Sequence, residues 1–256
     1  MPDPILFAWG PFIIRWYGVM IVIGMALGIF LACRETKRQD LNPDHFFNMS
    51  LAVLPAAIIG ARLYYVAFNW SYYSAHPAEI IATWEGGLAI HGGIIAGALV
   101  FIIMGTHYRF GIWKTLDIAA PSLVIGQAIG RWGNFFNQEA YGYEVSPEKI
   151  PWAMFIDGAY RHPTFLYESI WNVLIFIFLL WYRRRRGLVT GDVALMYIAL
   201  YSAGRLVIEG LRTDSLMLGN WRVAQLVSGG AIVLALLIMW LRHRRNNQGG
   251  RITNVR

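Results

Sequence analysis

A small set of ionisable and polar side chains falls inside, or at the ends of, long apolar runs: Tyr17, His91, Arg131, Asn134, Tyr167, Glu168, Tyr201, Arg205 and Glu209, with Arg212 just beyond. A charged side chain at mid-bilayer costs at least about 2.5–3.5 kcal/mol, so each of these reads first as a candidate functional group. Tyr201, Arg205, Glu209 and Arg212 follow one another at helical spacing and form one stripe on one face. The simplest reading of that stripe is an Arg205–Glu209 ion pair that neutralises two buried charges. It leaves Arg131 without an obvious local partner, and an unpaired guanidinium at membrane depth asks for an anion. A phospholipid headgroup is the anion that a bilayer supplies in quantity, and the planar arginine fork suits phosphate. His91 stands before Gly92 and Gly93. A helix histidine is often only a satisfied packing group, but the glycines open space beside the ring for a substrate. Arg62, inside another apolar run, is either structural or close to the same cavity, and the sequence leaves its role open.

The elements that must position these groups are transmembrane helices. Hydrophobic residues make up 57% of the 256-residue chain and charged residues only 14%, about half the charged share of a soluble domain. Apolar runs of the length that crosses a bilayer, about 20 residues, occur near 14–33, 46–68, 88–106, 115–133, 164–182, 191–209 and 222–241. The expected fold is therefore all-α and polytopic, with about seven transmembrane helices in a single membrane domain. The fourth run is the weakest, because it is glycine-rich and ends in the polar segment Gly130-Arg131-Trp132-Gly133-Asn134. Residues 134–163 form an expected small extracytoplasmic cap, with Trp152–Ile156, Asp157-Gly158 and Ala159–Arg161 reading as a short hairpin.

Charge sets the expected orientation. Fourteen of the 22 basic residues lie in the loops at 34–38, 109–114 and 183–186 and in the tail after 241. The excess of lysine and arginine marks these as cytoplasmic, which puts the N-terminus outside and the C-terminus inside. Every candidate group above then falls toward the outer leaflet. The net charge of +7 is accounted for by these clusters, so no nucleic-acid partner is expected. No cleavable signal peptide is expected either, since Asp3 and two early prolines replace a basic start. Gly24 with Gly28, Gly93 with Gly97, and Gly126 with Gly130 are small-residue pairs that permit close helix packing. The lone thiol, Cys33, falls at the basic inner end of the first helix. It lies sixteen residues past Tyr17, about 24 Å along the axis at about 1.5 Å per residue.

The run from Gly130 to Gly142, Gly-Arg-Trp-Gly-Asn-Phe-Phe-Asn-Gln-Glu-Ala-Tyr-Gly, resembles the signature of the bacterial prolipoprotein diacylglyceryl transferase family. The likeness extends to Arg15-Trp16-Tyr17-Gly18, to His91-Gly92-Gly93, to His162-Pro163-Thr164-Phe165-Leu166-Tyr167-Glu168, and to Tyr201 through Arg212. The resemblance implies an enzyme of the bacterial inner membrane, acting on its outer face. Such an enzyme moves the diacylglyceryl group of phosphatidylglycerol onto the lipobox cysteine of a prolipoprotein and releases glycerol phosphate. Its partners would be phosphatidylglycerol, the signal-peptide region of the precursor and the surrounding lipid, with no metal or organic cofactor. For that chemistry His91 is the candidate base, with ionisation of the thiol by a strongly positive pocket as the alternative. Arg131 and Arg205 are the expected phosphate contacts, and Tyr17, Asn134, Glu139, Gly142, Tyr201, Glu209 and Arg212 the expected substrate contacts. A transporter or flippase would spread polar groups through both leaflets with an internal repeat, and neither pattern is present in the sequence.

Overall fold

The computed structural model describes residues 3–10, 12–156 and 158–252. Seven long helices run α1 Trp16–Arg38, α2 Pro43–Phe68, α3 Ile90–His107, α4 Ile112–Asn137, α5 Thr164–Tyr182, α6 Asp192–Ile208 and α7 Val223–Ile252. Six of them are long and apolar enough to cross a membrane; α4 has the length but not the apolarity, since it carries Lys114, Asp117, Gln127, Arg131 and Asn134. The expected count of seven spans therefore rests on α4 alone. Exposed Val22, Phe30, Ile59, Leu63, Ile94, Leu99, Val233 and Leu234 show where these helices keep their apolar surface for lipid rather than for one another.

Among the described residues, three two-stranded antiparallel hairpins accompany the helices. The expected one is present as Met154–Ile156 paired with Ala159–Arg161, with Phe155 opposite Tyr160. Gly158 in its turn has φ +79°, and Asp157 lies outside the described residues. The other two were not anticipated. Ile5–Trp9 pairs with Phe12–Arg15 immediately before α1, so the first two residues of the expected run at 14–33 are strand. Met217–Leu218 pairs with Trp221–Arg222 immediately before α7.

The chain forms two compact units, residues 32–115 and residues 1–31 with 116–256. In the larger unit, α1 approaches α4 closely: a Cβ on Gly24 would lie 3.0 Å from the Gly126 carbonyl oxygen, and one on Gly28 the same distance from that of Ser122. These are two of the small residues singled out for packing. A hydrophobic core of Ala120, Val124, Ile175, Leu179, Val193 and Ala194 joins α4, α5 and α6. Beside it the Asp117 carboxylate accepts backbone N–H bonds from Gly191 (2.5 Å) and Ala194 (2.9 Å). That caps the N-terminus of α6 with a side chain from α4 and fixes how far the two helices slide past each other. In the smaller unit α2 and α3 meet at a glycine seam, where a Cβ on Gly60 would lie 2.6 Å from the Gly92 carbonyl oxygen.

Candidate functional site

The signature run does its first work as a helix terminator. Helix α4 continues through Asn137, four residues past the expected end, and stops with Gln138 in the left-handed region at φ +51°. The Glu139 N–H reaches back to the Asn134 carbonyl (3.1 Å) and the Gln138 N–H to that of Phe135 (3.3 Å). This is the paired hydrogen bonding of a Schellman motif, with glutamine in the place glycine usually takes. The turn brings the Glu139 carboxylate onto its own helix end, where it accepts from the Asn134 amide at 2.8 Å and the Asn137 amide at 3.4 Å. Arg131, one turn earlier, donates to the Asn134 side-chain oxygen at 3.4 Å.

Glu168 is the centre of the arrangement. It lies in the first turns of α5 with its side chain 5% exposed. One carboxylate oxygen takes Arg131 at 2.5 Å, and the other takes both Arg205 at 3.0 Å and Arg212 at 3.2 Å. Arg205 also pairs with Glu209 at 2.8 Å, and Arg212 with Asp214 at 2.6 Å. The sequence expectation that Arg131 lacks a local partner is thus corrected. Its partner is a carboxylate 37 residues away, brought in by the packing of α5 on α4. That packing is held by Trp132, which donates to Ser169 at 3.2 Å, and by Ser169, which donates to the Ala128 carbonyl at 2.9 Å. On the other side, Trp171 lies over Gly204 and donates to the Leu200 carbonyl at 2.9 Å, locking α5 to α6.

Three guanidinium groups thus face three carboxylates, and the cluster is close to neutral. It does not demand an anion to balance charge. Donor capacity remains, however: Arg131 and Arg205 each make one hydrogen bond and one further ion pair with these partners, against five N–H donors in a guanidinium. Both side chains are 23% exposed. A small cavity between α5 and α6, beside Arg205, is lined by Glu168, Asn172, Tyr201, Gly204 and Arg205. The arrangement can present two preoriented arginine forks to a phosphate while an internal carboxylate holds them apart.

Outside the helices, Arg212 is buried, which opposes its charge, yet its pKa is raised by the hydrogen bond and field of Asp214 and by the fields of Glu168 and Glu209. Asp214 is correspondingly held below the usual carboxylate range, chiefly by its hydrogen bond with Arg212. With the folded pKa below the unfolded one, the stabilisation from Asp214 is complete above about pH 4 and fades as pH falls through the folded value.

The remaining expected residues fall as follows. Tyr17 packs its ring against Gly133, where a Cβ would lie 2.6 Å from it, while Trp16 stacks on Phe136 at 4.8 Å. Tyr17 is thereby fixed beside the arginine end of α4. Gly142 is threaded between two other segments: its N–H donates to the His162 carbonyl at 2.9 Å, and it forms a β-bridge with Arg212. A Cβ there would lie 2.7 Å from both His162 Cβ and the Leu211 carbonyl oxygen, so its effect on the site passes through the placement of Arg212. Gly142→Ala should destabilise the protein by about 1–3 kcal/mol and lower turnover in parallel, measurable as a reduced melting temperature and rate. His91 belongs to the smaller unit, in the first turn of α3, exposed, with its ring 6.1 Å from that of Tyr64.

Two participants were not given roles by the sequence reading. Glu168 was noted only as an ionisable group opening a helix. Arg222 donates to the Glu209 carbonyl, to the Arg212 carbonyl and Ser215 hydroxyl at 3.0 Å each, and to the Tyr143 hydroxyl at 2.6 Å. It ties together the segment that carries Glu209 and Arg212. It opens the last apolar run at 222–241, and the sequence assigns it no role.

Comparison with known proteins matches residues 4–241 to the family described as prolipoprotein diacylglyceryl transferase. A phosphatidylglycerol–prolipoprotein diacylglyceryl transferase of Streptococcus equi subsp. zooepidemicus is 50% identical over 96% of this chain and 97% of its own length. Proteins of the same name from Streptococcus agalactiae and Limosilactobacillus reuteri are 47% and 49% identical, over 96% and 95% of this chain and 98% and 92% of their own lengths. With the family match over nearly the whole chain and relatives at 47–50% identity, the chain belongs to the prolipoprotein diacylglyceryl transferase family, as a multi-pass membrane transferase.

Proposed function

We propose that this protein transfers the diacylglyceryl group of phosphatidylglycerol to the lipobox cysteine of a prolipoprotein at the outer face of the bacterial inner membrane. The observation that carries this reading is the Glu168-centred arginine cluster at one end of α4, α5 and α6. The substrate thiolate attacks the glycerol carbon bonded to the phosphate oxygen. A carbon–sulfur bond forms, the carbon–oxygen bond breaks, and its electron pair leaves with glycerol phosphate. Arg131 and Arg205 hold that phosphate and stabilise the charge it gains, as preorganised donors do in other group transfers. A free thiol has a pKa of about 8.5, so a base is useful, and His91 takes that role. Asn134, Glu139 and Tyr201 orient the headgroup, Glu209 sets the angle of Arg205, and Tyr17 and Arg212 border the lipid site. Gly142 acts by keeping Arg212 in place. The acceptor thiol is the substrate's own, because a thioether formed on Cys33 would be a poor leaving group and a dead end.

Purified protein given labelled phosphatidylglycerol and a lipobox peptide should yield a thioether-linked product; label released only as free lipid or as an adduct on the enzyme would refute direct transfer. The orientation proposed here has all seven helices crossing. At 26 residues and about 1.5 Å per residue, α4 is about 39 Å long, enough for a core of about 30 Å. A cysteine introduced at position 148, in a Cys33→Ser background, should then react with an impermeant reagent on intact cells. Reaction only after permeabilisation would place the site on the wrong side.

A further inference from the structure

Arg62, left without a role by the sequence, has 5% exposure inside α2. Its guanidinium donates to backbone carbonyls on several sides: Glu79 at 2.5 Å, Ile80 at 2.8 Å, Gly86 at 2.8 Å and Gly87 at 3.1 Å. The Tyr73 ring closes over it with its centroid 5.1 Å away. Gly87 presses directly on this group, since a Cβ there would lie 2.5 Å from the Arg62 terminal nitrogen. Gly86 and Gly87 have φ of +92° and +67°, a bend that glycine supplies without strain. The next tie comes from the residue beside Arg62: the Ala61 carbonyl accepts the Ala89 N–H at 3.0 Å. His91 follows two residues later, and Gly92 then meets the backbone of Gly60.

Residues 60 to 62 of α2 therefore hold the chain on both sides of His91. The glycine contact fixes the helix after it, and Arg62 fixes the loop that enters it. We infer that Arg62 is a positioning residue for His91, holding the loop that leads into α3 without touching substrate itself. The inference rests on the general-base role proposed for His91. Lysine cannot replace it, because three donors on one nitrogen do not reach carbonyls spread around a planar fork.

The test is a double-mutant cycle of Arg62→Lys, His91→Asn and the pair, in nanodiscs containing phosphatidylglycerol, reading kcat and KM. Arg62→Lys should lower kcat about 100-fold, the scale of an ångström-sized misplacement of a reacting group, with KM for the lipid changed less than about threefold. The double variant should be no slower than His91→Asn alone, because both changes remove the same contribution. Losses that multiply in the double variant, with His91→Asn itself slow, overturn the positioning role and leave the base intact. A fully active His91→Asn protein overturns the base, and the positioning role with it. If Arg62→Lys does not fold, Arg62→Gln carries the cycle; failure of both to give a cooperative thermal melt assigns Arg62 to the fold at large and overturns the inference.

Discussion

Arg131→Lys should fail almost as completely as Arg131→Ala, each lowering kcat with lipid by at least about 100-fold, the range seen when one preorganised charge-stabilising donor is lost. Charge is conserved in the lysine variant, so a site that needed only positive potential would tolerate it. Arg131 instead works in two directions at once. One nitrogen meets Glu168 at 2.5 Å and another faces the Asn134 oxygen at 3.4 Å, while the rest of the fork is left for phosphate. Lysine has one nitrogen and cannot hold Glu168 and present a bidentate face together. Its ammonium would settle on Glu168 and leave the phosphate seat. Single-turnover rates at saturating phosphatidylglycerol measure the chemical step directly. Near-normal rates for Arg131→Lys would reduce Arg131 to a source of diffuse potential and remove the fork from the mechanism.

Much of this architecture is legible in sequence because a bilayer imposes it. Seven apolar runs locate seven long helices, and the hairpin at Met154–Arg161 is announced by its turn. What is not legible has physical reasons. The end of α4 was placed four residues early because the terminator uses Gln138, not glycine, at its left-handed position. The hairpin Ile5–Trp9 with Phe12–Arg15 lies almost wholly before the expected first run at 14–33, and only Ile14 and Arg15 of that run are strand. The stripe Tyr201–Arg205–Glu209–Arg212 was legible because its residues lie close in sequence, but the expected single helical face is corrected: α6 ends at Ile208, Glu209 opens a 3-10 turn and Arg212 is extended. Glu168 stands among the candidate groups, but its central role was not legible, because its three arginines come from other segments, and only packing through Trp132, Ser169, Trp171 and Gly204 brings them to it. Arg62 was ambiguous for a related reason: a guanidinium bound wholly to carbonyls leaves no charged partner in the sequence to signal its role.

Glu168 should prove as sensitive as the arginines it holds, although it has no evident contact with the reacting atoms. Its two oxygens keep Arg131 on one side and Arg205 with Arg212 on the other, so the carboxylate sets the gap into which phosphate fits. Glu168→Gln preserves shape and volume but turns one oxygen into an amide donor aimed at a guanidinium. Either the Arg131 contact or both the Arg205 and Arg212 contacts must break. Glu168→Asp keeps the charge, yet shortens the side chain by one carbon and cannot bridge both sides. Both variants should lose at least about 100-fold in kcat, the scale of a misplaced catalytic group. Glu168→Gln should also destabilise the protein by about 3–5 kcal/mol, the range for leaving buried charges unmatched. The lipid KM separates positioning from charge balance. If Glu168 only neutralised its neighbours, Glu168→Gln would bind the anionic lipid more tightly and keep its turnover. That outcome, a lower KM at unchanged kcat, would refute the claim that the gap between the arginines is set by this carboxylate. A raised or unchanged KM with kcat collapsed in both variants is the expected result, because forks that have moved still attract phosphate but no longer meet the charge where it develops.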